Sequence, residues 1–80
     1  MRVRFLAQPD PPLTETEQAT IAALLEIYYR MNHLMMATGA RANQAGGSLA
    51  QAEPYAIAET QKFAARAFPH LAIEISSAPW

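Results

Sequence analysis

Ile21-Ala22-Ala23-Leu24-Leu25-Glu26-Ile27-Tyr28-Tyr29-Arg30-Met31-Asn32-His33-Leu34-Met35-Met36 is the stretch on which the fold turns. It holds no proline or glycine, and apolar side chains return every three to four positions, as in a helix. Thr14-Glu15-Thr16-Glu17 supplies its start. Thr14 is placed to cap the Glu17 N–H while Glu17 reaches back to Thr14, a capping box. The acidic side chains of that turn suit the positive end of the helix dipole. Gly39 is the expected stop, in the left-handed position past the end. The expected helix spans 14–38, about twice the mean helix length.

On a helical wheel the stretch divides unevenly. Ala19, Ala22, Glu26, Tyr29, Arg30, His33 and Ala37 fill a polar arc of about 100°. Ile21, Leu24, Leu25, Ile27, Tyr28, Met31, Leu34, Met35 and Met36 spread over about 200°. A helix covered on one side needs about 100° of apolar surface, so this one has roughly twice the requirement.

Outward from the helix, Arg2-Val3-Arg4-Phe5-Leu6 alternates with period two and reads as a strand over 1–6, Val3 and Phe5 facing inward. A proline-rich connector over 7–13 follows, stiff because each ring fixes its own backbone angle. Beyond the helix, 39–52 reads as a loop containing Gly46-Gly47, with Ser48 and Gln51 spaced for a second capping box. A second helix is expected over 53–68 with Pro54 in its first turn, where a missing N–H costs nothing. Its apolar face is Ala56, Ile57, Thr60, Phe63, Ala64, Ala67 and Phe68; Glu59 and Lys62 are spaced for an ion pair on the wet side. Pro69 ends it. Leu71-Ala72-Ile73-Glu74-Ile75-Ser76 alternates as a strand over 71–76, with Leu71, Ile73 and Ile75 inward.

The expected fold is therefore α+β: strand-helix-helix-strand, a long antiparallel helical hairpin with a small two-stranded antiparallel sheet. Glu74 is expected across from Arg2 or Arg4. One helix and two strands cover a 200° arc poorly, and a two-stranded sheet is marginal alone. Dimerisation or another protein partner is expected to complete the core; a compact monomer with the long helix between sheet and second helix is the alternative.

Composition narrows the function classes. With 80 residues the chain holds one domain, and with no cysteine it has neither disulfides nor thiol chemistry. Net charge is −1 and only 16% of residues are charged, so Arg2, Arg4 and Arg41 create no field for a nucleic-acid backbone. No apolar run reaches membrane-spanning length, and a cytoplasmic, soluble protein is expected. No phosphate loop, dinucleotide fingerprint, nucleophile elbow or zinc motif is present, so no enzymatic activity and no cofactor is expected.

Candidate contact residues remain. Glu26, Tyr29, Arg30 and His33 share one helical face, with Glu26 and Arg30 ordered for an ion pair. A histidine beside a carboxylate and a phenol is a combination used in acid–base catalysis, but without a second base it reads better as a contact surface. Met31, Met35 and Met36 read as adaptable filler or contact surface rather than metal ligands, because His33 lies off the face of Met31 and Met35. Asn32 sits in the apolar arc, either fixing the register of a helix pair or lying at the arc's edge in water. Tyr28 is expected in the core. Trp80 either packs on its own domain or binds a partner. These residues point to a small non-enzymatic protein–protein interaction module: an assembly subunit, adaptor or inhibitor. A small-ligand domain or minor enzyme subunit, with a pocket beside Tyr28, Met31 and Met35, is the second reading.

Overall fold

The computed structural model describes residues 1–43 and 51–77, and the side chains of 39–43 lie outside that description. The order is β1 (Arg2–Ala7), α1 (Glu15–Asn43), α2 (Ala52–Ala67) and β2 (Ala72–Ser76). The expected α+β hairpin and sheet are present.

The capping box forms as its residues dictate. Thr14 Oγ1 accepts from the Glu17 N–H at 3.1 Å, and Glu17 Oε1 accepts from the Thr14 N–H at 2.9 Å. Those bonds hold the Glu17 carboxyl below its ordinary value. The connector is braced from both sides of Leu13. Gln8 Oε1 accepts from its N–H at 3.2 Å, and Gln18 Nε2 donates to its carbonyl at 3.3 Å. The Asp10–Pro11 peptide bond is cis.

The far end of α1 departs from the sequence reading. The helix continues through Gly39 to Asn43 instead of stopping at 38. Glycine inside a helix costs only about 1 kcal/mol against alanine, which the neighbours Ala37, Ala40 and Ala42 are good enough helix formers to absorb. Gly46-Gly47 and the Ser48 cap lie outside the described residues. The second helix begins at Ala52 with Pro54 in its first turn and no side-chain cap from Gln51.

The strands pair antiparallel: Val3 opposite Ile75, Arg4 opposite Glu74, Phe5 opposite Ile73. Arg4 and Glu74 form the expected outer-face ion pair at 3.6 Å. A register shift between Phe5 and Ala7 ends the regular ladder and leaves Leu6 exposed. The outward edge of β2 is closed by one side chain of α2. Gln61 Nε2 donates to the Ile73 carbonyl at 2.9 Å, and Gln61 Oε1 accepts from the Ile75 N–H at 2.8 Å. A primary amide offers a donor and an acceptor side by side, so it imitates one residue of a neighbouring strand.

Leu25, Ala64, Ile73 and Ile75 make the core, with Val3, Phe5, Ile21, Ile57 and Phe63 packed around them. The buried line of α2 is Ala52, Ala56, Thr60 and Ala64. Small side chains there let α1 approach closely, and Tyr28 stacks on Phe63 with ring centroids 4.3 Å apart. The Thr60 hydroxyl is satisfied by donating to the Ala56 carbonyl at 2.7 Å. The molecule is elongated, 49 × 26 × 17 Å. Its radius of gyration is 14.3 Å, against about 12 Å for a compact chain of this length. The sheet rests mainly against α2, so among the described residues α1 is covered on one side and is not sandwiched.

Candidate functional site: two surfaces of the long helix

Two surfaces on α1 carry the residues singled out above. The first is polar. Glu26, Tyr29, Arg30 and His33 converge on one open recess of about 600 Å³, joined by Met1 and Thr38. Glu26 Oε1 accepts from Arg30 Nε at 2.9 Å, as the spacing predicts. The Tyr29 and His33 rings lie 5.8 Å apart and tilted. Tyr29 is more deeply placed than its position on the polar arc suggests. It is only 9% exposed, and its phenol donates to Glu53 Oε2 across the hairpin at 2.5 Å. Burial, with the bond to Glu53 second, pushes its pKa up to about 12. A phenol that holds its proton that firmly takes no part in acid–base exchange near neutrality; it serves as a fixed donor tying α1 to the start of α2. Glu53 and Met1 were not candidates in the sequence. Glu53 lies 24 positions from Tyr29, and nothing local links them.

The second surface is apolar. Leu24, Ile27, Met31, Leu34 and Met35 are between 44% and 67% exposed. At 100° per residue they fall on one line along α1, which Thr20 and Thr38 extend at either end, both exposed. The steps Leu24, Ile27, Met31, Leu34 are three, four and three residues, the spacing of a helix seam that packs against another helix. Beside the N-terminal half runs a shallow depression lined by Thr16, Ala19, Thr20 and Ala23, with Leu24 and Ile27. A surface of large apolar side chains in contiguous helical register is the kind that marks an interaction site.

The remaining candidates are placed as follows. Asn32 is half-buried on the same side of α1 as Ile21 and Leu25, and its amide donates to the Tyr28 carbonyl of its own helix at 2.9 Å. Met36 is half-buried, whereas Met35 is open. With Met31 and Met35 exposed and Tyr28 stacked on Phe63, these three side chains do not enclose a common pocket. Trp80 lies outside the described residues. Among the described residues no group of three His, Asp or Glu side chains is arranged to hold a metal ion, and no helix is long and apolar enough to cross a membrane.

No protein-family model, curated protein or solved structure matches this chain.

Proposed function

We propose that this chain is a protein–protein interaction module that docks through the outer face of α1. One observation carries the reading: Leu24, Ile27, Met31, Leu34 and Met35 form a continuous apolar line about 17 Å long that is left exposed among the described residues. Full burial of such a side chain is worth roughly 1.5–3 kcal/mol, and these five, between 44% and 67% exposed, each forgo about half of it. A fold that needed them only for itself would turn them inward. The polar recess beside the line, with its Glu26–Arg30 pair and His33, supplies directional contacts at the rim, where interfaces are polar.

The test is dye binding paired with substitution. A fluorescent apolar dye is expected to bind the purified chain, or to be excluded only in proportion to an assembly that buries the face. Ile27→Glu with Leu34→Glu is expected to abolish both dye binding and assembly while leaving the helical circular dichroism unchanged. A monomer that binds no dye would overturn the proposal.

A further inference from the structure

We propose that the free edge of β1 is a strand-addition site for an extended, acid-bearing segment of another protein. The site lies on the sheet, apart from the outer face of α1, and stands or falls independently of the function proposed for that face.

The two edges of the sheet are finished differently. On the outer edge of β2, Gln61 takes up the Ile73 carbonyl and the Ile75 N–H. Those groups point away from β1. Antiparallel alternation then makes Arg2–Ser76 and Arg4–Glu74 the pairs that exchange backbone bonds across the ladder. Val3 and Phe5, opposite Ile75 and Ile73, turn their N–H and C=O groups to the other edge. Among the described residues no side chain does for that edge what Gln61 does for β2, and no backbone bond reaches it. Donors and acceptors alternating at strand spacing are complementary to another extended backbone.

The side chains select which backbone. The outer face of β1 carries Arg2 and Arg4, both exposed, and then Leu6. Arg4 shares Glu74 at 3.6 Å, whereas Arg2 stands opposite Ser76 with no carboxylate across the ladder. A second copy that used both Val3 and Phe5 in antiparallel order would set Arg4 directly against Arg4 of that copy, and like charges so placed are destabilising. The arginines thus guard the edge against self-pairing and favour a strand with glutamate or aspartate at the positions facing them. Between those positions, the incoming side chains fall on the face where Val3 and Phe5 pack against the core, so they are apolar.

Amide hydrogen exchange on the intact chain tests this, with the synthetic peptide acetyl-Val-Glu-Val-Glu-Val-Thr-amide as probe. Without peptide, the Val3 and Phe5 N–H groups are expected to exchange much faster than that of Ile75, which Gln61 holds. With peptide at up to about 1 mM, both are expected to slow at least about tenfold. The same peptide with its valines N-methylated, or with lysine in place of glutamate, is expected to protect neither. Arg2→Glu, at an exposed position, is expected to weaken the glutamate peptide about tenfold and to turn the preference toward the lysine peptide. Slow exchange at Val3 and Phe5 in the free chain would mean that the edge is already covered and would overturn the proposal, as would no protection by the glutamate peptide. Equal protection by the N-methylated peptide would overturn strand addition, and equal protection by the lysine peptide would overturn the acidic partner. Each of these results leaves dye binding at the outer face of α1 as a separate question.

Discussion

The inner and outer faces of α1 are built from the same kinds of residue and live in different surroundings. Leu25 is fully buried, while its neighbour Leu24 is 44% exposed. Ile21 packs against the core; Ile27, six positions on, faces outward. Apolar character therefore does not decide which side of this helix is covered. The deciding factor is the partner surface: α2 offers Ala52, Ala56, Thr60 and Ala64, a groove one helix wide, and it accepts only the arc centred on Leu25 and Tyr29. Whatever lies beyond that width stays outside.

The strongest way to break the contrast is on the inner face. Leu25→Ala should cost about 2–5 kcal/mol of unfolding free energy, since a fully buried leucine leaves both lost transfer energy and a cavity. Denaturant unfolding measures it, and a loss below about 1 kcal/mol would mean the inner face is not the core. Removing the hydroxyl that ties the hairpin is next. Tyr29→Phe keeps the ring and leaves the half-buried Glu53 carboxylate without its donor, for an expected loss of about 1–3 kcal/mol.

The same pair gives a pH signature. The folded chain holds the Tyr29 proton to about 12 against an ordinary value of 10.0. A group whose folded value is raised contributes fully below the unfolded value and loses that contribution as pH rises through the folded one. Stability from Tyr29 should thus persist to about pH 10 and fall away toward pH 12. Glu53→Gln removes the carboxylate and its charge but not the burial. The Tyr29 titration, followed by tyrosinate absorbance, should move part of the way back toward 10.0. An unmoved midpoint would make burial the whole cause.

The smallest effect belongs to the outer face and sharpens the comparison most. Ile27→Ser should change the stability of the isolated monomer by less than about 0.5 kcal/mol. With a partner protein bound to the outer face, the same substitution should lower stability, because binding to the folded form adds to it by mass action. A large loss at low concentration would mean that Ile27 supports its own domain.

Much of this frame was legible beforehand. The Thr14–Glu17 box, the Arg4–Glu74 pairing, the inward Ile73 and Ile75 and the Glu59–Lys62 pair at 3.5 Å all follow from periods and spacings within a few residues or across one strand pair. The wheel also measured the surplus apolar arc of α1. It could not say which half would be spare, because that depends on the width and tilt of α2 against it. The sequence places Tyr29 on an open polar face for the same reason: its bond to Glu53 exists only once the hairpin has folded. The Gln61 bonds to β2 carry no local signal either, since a glutamine on a helix face reads as ordinary solvent-facing polarity. The end of α1 at Asn43 was missed because one glycine among alanines is too weak a break.

The pairing of Arg2 with Ser76 has a consequence in time. Sheet formation joins positions more than seventy residues apart, and closing such a loop costs about 4 kcal/mol in chain entropy before any strand contact repays it. The helical hairpin closes across the short segment between Asn43 and Ala52 for about 2 kcal/mol. The hairpin is thus expected to assemble first and to hold the strand segments close enough to zip. Ile75→Val should then hasten unfolding and leave the refolding rate nearly unchanged, an asymmetry that stopped-flow fluorescence would detect and that equal changes in both rates would refute.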